Sequence, residues 1–160
     1  MPFLYSVIYV IALGIASHFI GEALPRKFSY NRFPYRAWRW EKEGKIYDHL
    51  HIRAWKDRLP DMSRVMKDMV PKRVSKCPTS GEVWRLVQET CVAEAVHGAL
   101  CLCAPVIWLF WRNWIGVLLM GIFVICNLPF MMIQRYNRPS LCALAKRLEA
   151  REERRKKKGG

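Results

Sequence analysis

Three long apolar runs constrain the fold of this chain more than any other feature. They cover residues 3–24, 92–111 and 114–133. Each has about the 20 residues that a helix needs to cross roughly 30 Å of hydrocarbon. The chain is 52% hydrophobic yet carries a net charge of +14, and the two properties are separated along the sequence. This separation predicts an all-α membrane protein with three transmembrane helices and basic segments at the membrane surface.

The basic residues predict the orientation of these helices. None of the 27 Lys and Arg precedes the first run, sixteen lie between Arg26 and Arg85, one is Arg112, and ten follow from Arg135 onward. Because cytoplasmic segments carry an excess of Lys and Arg, both large basic segments are expected inside the cell. The sequence therefore predicts a multi-pass protein of the cell membrane with an extracytoplasmic N-terminus and a cytoplasmic C-terminus.

A single membrane domain is expected over residues 1–160. Its predicted parts are a first span at 3–24, a cytoplasmic and interfacial segment at 25–79, a long helix at 80–111 containing the second span, a third span at 114–133, and a basic cytoplasmic tail at 134–160. Apolar residues recur at helical spacing over 46–59 and 62–70, which predicts amphipathic interfacial helices on the cytoplasmic side. A small cytoplasmic helical cap packed on itself explains the same pattern equally well.

A mixed basic and aromatic segment follows the first span, from Arg26 to Trp40. In a soluble protein this mixture would suggest nucleic-acid binding. Directly after a membrane helix, aromatic anchoring and contact with anionic headgroups explain it better, and no nucleic-acid partner is expected. The six cysteines include no Cys-x-x-Cys pair, so neither a disulfide framework nor a metal site is predicted.

Local signals predict where the helices begin and bend. The sequence Thr79-Ser80-Gly81-Glu82 is a capping box. Pro105 is expected to kink the second span, and Arg112-Asn113 to form a tight turn before the third. Asn127 lies inside the third span, where an amide is costly unless it finds a partner.

The acidic and histidine residues inside the spans fall at their predicted cytoplasmic ends, at the same depth as the polar residues that follow the third span. They are His18 and Glu22 in the first span, Glu89, Glu94 and His97 in the second, and Gln134, Arg135, Tyr136, Asn137 and Arg138 after the third. We therefore expect acidic, imidazole and guanidinium groups from different helices to gather in one pocket that faces the cell interior.

Glu94 and His97 are the strongest candidates for chemistry. They lie three residues apart on one helical face, where a carboxylate can fix the tautomer of an imidazole that acts as a general base. The alternative is a Glu94–arginine pair that seals helix packing, with His97 merely hydrogen bonded. Arg135 and Arg138 are suited to binding donor phosphates or an oxyanion, and equally to being ordinary positive-inside residues.

Several short motifs between residues 38 and 148 carry a family resemblance. They are Glu41-Lys42-Glu43-Gly44-Lys45 with Tyr47, Arg53-Ala54-Trp55-Lys56, Glu89-Thr90 followed by Ala93-Glu94 and His97, Asn127-Leu128-Pro129, and Gln134-Arg135-Tyr136-Asn137-Arg138-Pro139 with Leu141. On these motifs the chain resembles the glycosyl-4,4'-diaponeurosporenoate acyltransferases of staphyloxanthin-type carotenoid biosynthesis. Ser140 departs from the basic residue that the family pattern has after the proline.

The resemblance implies a membrane O-acyltransferase acting at the cytoplasmic leaflet. It would move a fatty acyl group from an acyl donor, expected to be acyl-CoA as a co-substrate, to a sugar hydroxyl of a glycosylated lipid such as a glycosyl carotenoid. No cofactor is implied. On this interpretation His97 is the general base and Glu94 polarises it. The expected substrate-binding residues are Arg135, Arg138, Asn127, Gln134, Tyr136, Asn137, Glu41, Lys56 and Trp55.

Two other functions fit the same residues. A non-catalytic membrane module that binds anionic lipid or assembles a lipid-biosynthetic complex would use the basic residues and need no base. A small membrane methyltransferase would also present Arg, His and Glu near a membrane face.

Overall fold

The computed structural model of the protein describes residues 1–28, 30–44, 46–56 and 78–159. These residues form helices and contain no strand. The helices are α1 (Pro2–Ala23), a 3-10 helix (Arg39–Gly44), α2 (Ile46–His49), α3 (Ile52–Trp55), α4 (Ser80–Cys103), α5 (Pro105–Trp111) and α6 (Trp114–Gly159). Three stretches, Pro2–Ala23, Ser80–Trp111 and Trp114–Gly159, are long and apolar enough to cross a membrane, which confirms the predicted fold class.

The predicted interfacial segment is described only in part. Short helices α2 and α3 occupy the first amphipathic stretch, and Tyr47 and Ile52 are their buried residues. The second predicted stretch, residues 62–70, lies outside the described residues. The chain divides into two compact units, of which the first comprises Met1–Pro25 and Val92–Met132, and the second Arg26–Cys91 and Ile133–Gly160. The expected single membrane domain stays a prediction.

In the first unit, α1 packs against α5 through aromatic and polar contacts. The rings of Tyr5 and Tyr9 lie 6.4 and 5.8 Å from the ring of Phe110. The indole N–H of Trp111 donates to Ser6 Oγ at 2.9 Å, and Ser6 donates in turn to the Pro2 carbonyl. These hydrogen bonds satisfy side chains that would otherwise be costly among apolar residues.

Pro105 interrupts the second apolar stretch, and the interruption creates a hydrogen-bond acceptor. α4 ends at Cys103 and α5 begins at Pro105, which has no backbone N–H. The Ile107 N–H bonds the Ala104 carbonyl at 3.0 Å, one residue short of its regular α-helical partner. The Cys103 carbonyl instead receives the hydroxyl of Tyr9, at 2.8 Å. The interruption at Pro105, where a kink was predicted, thus supplies the polar contact that links α1 to the end of α4.

The predicted turn between α5 and α6 depends on two residues with special geometry. Arg112 takes a left-handed conformation, with φ of 42°, and its N–H bonds the Trp108 carbonyl at 2.7 Å. Asn113 accepts the N–H of Gly116 with its side-chain oxygen, at 3.2 Å. A Cβ atom at Gly116 would lie 2.9 Å from Trp111 Cβ, so the close approach of this turn requires glycine.

In the second unit, the predicted capping box begins α4. The Thr79 N–H donates to Glu82 Oε2 at 2.8 Å, and the Glu82 N–H donates back to Thr79 Oγ1 at 3.3 Å. Ser80 donates its N–H and its hydroxyl to the two carboxylate oxygens of Glu152 at 2.8 and 2.6 Å. The first turn of α4 is therefore tied to the C-terminal part of α6.

Replacing Tyr9 by Phe removes the hydroxyl that satisfies the Cys103 carbonyl. We expect the free energy of unfolding to fall by about 1 kcal/mol, because hydrogen bonds between helices in lipid are worth roughly 0.6 kcal/mol on average and about 1.7 at most. Equilibrium unfolding by dodecyl sulfate in mixed micelles measures the change. Tyr5→Phe is the matched control, since the exposed Tyr5 ring contacts the same Phe110. Equal losses in both variants would contradict the assignment.

Candidate functional site

The first unit contains a histidine–asparagine pair. His97 lies on α4 and is half-buried, and Asn127 lies on α6 and is buried. The ring nitrogen Nδ1 of His97 is 2.9 Å from Asn127 Oδ1. The amide of Asn127, which was expected to need a partner in the third span, is thus hydrogen bonded to His97.

The hydrogen bonds around Asn127 define the tautomer of His97. Asn127 Nδ2 donates to the Phe123 carbonyl at 2.8 Å, and a carbonyl can only accept. Nitrogen therefore faces Phe123, and the amide oxygen faces His97. Because that oxygen is also an acceptor, Nδ1 of His97 must carry the proton. In the neutral ring this leaves Nε2 unprotonated and able to accept a proton.

Phe130 packs on the His97 ring, and Glu94 lies on the same helix as His97. The rings are stacked, with centroids 4.7 Å apart and an angle of 7° between the planes. Glu94 lies one turn earlier on α4 and is buried. Stacking and the Asn127 bond together restrict how the imidazole can turn.

The second unit is built around a buried ion pair between Glu41 and Arg135. Glu41 is only 2% exposed. Arg135 donates Nε to Glu41 Oε1 at 2.7 Å and Nη2 to Oε2 at 3.1 Å, the bidentate arrangement that makes arginine–carboxylate pairs strong. Trp38 donates its backbone N–H to the same carboxylate at 3.0 Å. The pair therefore joins α6 to the 3-10 helix and to the segment before it.

Tyr47 completes the hydrogen bonding of this carboxylate. Its hydroxyl donates to Glu41 Oε1 at 3.0 Å. Burial, followed by the negative charge of Glu41, raises the pKa of Tyr47 to about 12. The phenol is consequently protonated at any physiological pH and keeps donating to Glu41.

Both motif arginines also bind the backbone of the segment that precedes Glu41. Arg135 donates to the carbonyls of Pro34 at 3.0 Å and of Arg36 at 3.3 Å. Arg138, which is 4% exposed, donates to the Tyr35 carbonyl at 2.7 Å. Arg138 further donates to the hydroxyl and the carbonyl of Thr90 on α4, at 2.8 and 3.1 Å. The two guanidinium groups thus hold three consecutive carbonyls against α6.

A third cluster lies on the more open side of α6 and includes Lys56. The Lys56 ammonium donates to Asn137 Oδ1 at 3.3 Å and lies 5.5 Å from the centre of the Tyr136 ring. The Tyr136 hydroxyl donates to Asp48 at 3.1 Å. Lys56, Tyr136 and Asn137 are half-buried, so their polar groups remain accessible to solvent.

The structure therefore groups the predicted site residues into three clusters. It brings His97 to Asn127, Glu41 to Arg135, and Lys56 to Asn137 and Tyr136. Trp55 bonds the Leu50 carbonyl, at 3.0 Å, and Gln134 is buried in the second unit. The expected single pocket, the polarisation of His97 by Glu94, and the phosphate-binding roles of the two arginines stay predictions.

Some contact residues were not identified from the sequence as members of a site. Thr90, Tyr35 and Pro34 hold the arginines, and Phe130 stacks on His97. Three of these contacts use backbone carbonyls, which carry no signal in a sequence. Phe130 has one available signal, because it lies three residues after Asn127 and so on the same face of the helix.

These features define a small all-α protein of the membrane-spanning type with a histidine suited to acid–base chemistry. A family model described as glycosyl-4,4'-diaponeurosporenoate acyltransferase matches residues 31–147. A curated protein of that name from Staphylococcus aureus strain bovine RF122 / ET3-1 is 31% identical over 149 residues, which cover 91% of this chain and 87% of the relative. Proteins of the same name from strains N315 and USA300 are 30% identical with the same coverage.

The chain belongs to the glycosyl-4,4'-diaponeurosporenoate acyltransferase family and is an acyltransferase. The resemblance inferred from the motifs is thereby confirmed. No solved structure matches the chain significantly.

Replacing Glu41 by Gln removes the carboxylate from a buried ion pair and leaves the Arg135 charge behind. We expect the free energy of unfolding to fall by about 3–5 kcal/mol, the usual cost of breaking such a pair on one side. Chemical unfolding followed by tryptophan fluorescence measures it. Glu149→Gln is the control, because Glu149 is an exposed carboxylate on α6, the helix that carries Arg135. A loss below about 1 kcal/mol would place Glu41 among ordinary surface pairs.

Proposed function

We propose that this acyltransferase moves a fatty acyl group from acyl-CoA to a sugar hydroxyl of a glycosylated lipid, with a glycosyl carotenoid as the leading acceptor. The acceptor class comes from the name of the family and of the matched relatives. The observation that carries the mechanism is the hydrogen bond between His97 and Asn127, since it leaves Nε2 of a neutral ring as a proton acceptor.

His97 would act as the general base. Its Nε2 takes the proton of the sugar hydroxyl while the hydroxyl oxygen attacks the thioester carbonyl. The tetrahedral oxyanion then collapses, the carbon–sulfur bond breaks, and the thiolate of coenzyme A leaves with the electron pair. The imidazolium returns the proton to that thiolate. Ester and free thiol are the products, and His97 is restored.

Asn127 and Glu94 would support this proton transfer. Asn127 is a positioning residue, because it holds His97 in the tautomer that carries the proton on Nδ1. Glu94 is the acidic side chain nearest in sequence on the same helix, and its negative charge would favour the imidazolium that forms during the reaction. In this mechanism Asn127 orients the ring of His97, and Glu94 polarises it through its charge.

The second unit would serve substrate binding. Arg135 and Arg138 act there mainly through the segment they hold, since most of their N–H groups already donate to protein acceptors. Lys56, Tyr136 and Asn137 are the accessible polar groups, and they suit the hydroxyls of a sugar or a donor phosphate. Gln134 and Trp55 would support these residues from neighbouring positions.

We place the enzyme in the cell membrane as a multi-pass protein. The positive-inside distribution of basic residues supports an extracytoplasmic N-terminus and a cytoplasmic C-terminus, with the reaction at the cytoplasmic leaflet. Family membership favours the acyltransferase over the non-catalytic module and the methyltransferase.

Replacing His97 by Ala tests the proposal directly. We expect acyl transfer to fall by about 10²–10⁴-fold, the contribution of a positioned general base. Purified protein in liposomes is supplied with acyl-CoA, and thiol release is followed with and without glycolipid acceptor. His49→Ala is the control, because His49 is exposed and outside the spans. Wild-type turnover in a folded, inserted His97→Ala protein would remove the mechanism, whereas acyl-CoA consumption without acceptor would change the reaction class.

Replacing Asn127 by Leu tests the orienting role. We expect kcat to fall by about 10- to 100-fold with little change in KM, as for other residues that orient a functional histidine. The ¹⁵N shifts of the His97 ring should change from a single tautomer to a mixture. Cys126→Ala, at the exposed position next to Asn127, is the control. A parallel fall in the helix content of Asn127→Leu, with unchanged ring shifts, would contradict orientation and point to folding.

A further inference from the structure

The segment Asn31–Trp40 of the second unit presents large aromatic side chains to the outside. Phe33, Trp38 and Trp40 are 81%, 47% and 55% exposed. The rings of Phe33 and Trp40 lie 6.2 and 6.4 Å from that of Trp38, so the three form one cluster. Tryptophan and phenylalanine are usually buried, and a contiguous exposed group of them marks an interaction surface.

Basic residues alternate with these aromatic residues along the same segment. Arg32, Arg36 and Arg39 are all exposed. Residues 31–40 contain no Asp or Glu, so the segment itself is uniformly positive. A flexible ammonium or guanidinium beside an indole ring is the pairing that proteins use where apolar tails meet phosphate headgroups.

Buried hydrogen bonds hold this surface in place. Arg135 and Arg138 bind the carbonyls of Pro34, Tyr35 and Arg36, and Glu41 accepts the N–H of Trp38. The Arg135 guanidinium also lies 6.0 Å from the centre of the Trp38 ring. The aromatic side chains are therefore exposed on a firmly anchored backbone, and the motif that identifies the family is what anchors it.

We propose that the segment Asn31–Trp40 is a binding surface for anionic phospholipid headgroups. Arg32, Arg36 and Arg39 bind the phosphates, and Phe33, Trp38 and Trp40 lie at the level of the glycerol and upper acyl chains. Charge complementarity selects an anionic partner, and the exposed rings select one with an apolar side. The segment begins eight residues after the end of α1 in the sequence, which suits a bilayer surface better than a soluble ligand. This inference is independent of the proposed reaction.

The test compares two triple variants of the full-length protein with equal changes in charge. One replaces Arg32, Arg36 and Arg39 by Gln, and the other replaces Lys156, Lys157 and Lys158 by Gln in the basic tail. Dansyl-labelled phosphatidylglycerol is titrated into protein in neutral detergent micelles, and energy transfer from tryptophan reports binding. Dansyl-labelled phosphatidylcholine is the uncharged comparison, and Trp38→Phe with Trp40→Phe identifies the donors.

We expect the arginine variant to bind phosphatidylglycerol about fivefold more weakly for each arginine removed, which corresponds to the contribution of one basic residue near an anionic surface. The tail variant and the phosphatidylcholine titration should change little. Loss of the two indoles should remove most of the transfer signal.

Three results would overturn the proposal. The first is unchanged phosphatidylglycerol binding in the arginine variant, and the second is an equal loss in the tail variant, which would mean unspecific attraction. The third is displacement of the labelled lipid by acyl-CoA together with a raised KM for acyl-CoA in the arginine variant, since the donor phosphates would then occupy the surface. Activity of the His97→Ala protein is measured separately, so failure of the catalytic mechanism would leave this result standing.

Discussion

A polar group among apolar side chains must find a partner, and this requirement organises the first unit. Hydrocarbon offers no water to an unpaired amide, hydroxyl or carbonyl, and each one costs several kcal/mol. Several polar side chains of this unit accordingly have specific hydrogen-bond partners. Tyr9 donates to the carbonyl that the interruption at Pro105 releases, and Trp111 donates to Ser6. Asn127 accepts from His97 and donates to a carbonyl of its own helix. The residue proposed as the base is held by the same rule that holds the helices together.

The second unit meets a related requirement with charge rather than with neutral amides. A buried carboxylate is tolerated when several donors surround it, and Glu41 has Arg135, Tyr47 and the Trp38 N–H. The pKa of Tyr47 is raised, because burial and the neighbouring carboxylate both favour the protonated phenol. The phenol therefore remains a donor to Glu41. Such a network is strong only when every member is present. It fixes the segment that carries the exposed aromatic residues against α6.

Sequence patterns predicted the helices well and the contacts less well. Length and hydropathy were sufficient for the three apolar helices, and the residue types of the capping box, of Pro105 and of Arg112-Asn113 predicted the local geometry, because each acts over a few residues. Asn127 was correctly expected to need a partner, but its partner could not be chosen from the sequence. His97 and Asn127 lie thirty residues apart and are brought near only by packing, so their hydrogen bond had no sequence signal. The polarisation of His97 by Glu94, three residues away, stays a prediction. The carbonyl partners of Arg135 and Arg138 had no sequence signal at all.

The choice between an amide and a carboxylate as the orienting partner has a physical reason. A carboxylate bonded to His97 would place a permanent charge beside the ring, and a charge with an incomplete set of donors is expensive among apolar side chains. Asn127 orients the ring without adding a charge, and its second hydrogen bond, to the Phe123 carbonyl, prevents the amide from turning over. In the proposed mechanism, positive charge arises on the pair while His97 holds the proton of the acceptor hydroxyl. In that interval the buried Glu94, one turn away on α4, would stabilise the imidazolium, because the attraction between opposite charges is strongest where water is absent. Under this proposal, Asn127 would orient the ring and Glu94 would stabilise the transient charge, two tasks that a single carboxylate performs in a Ser-His-Asp triad.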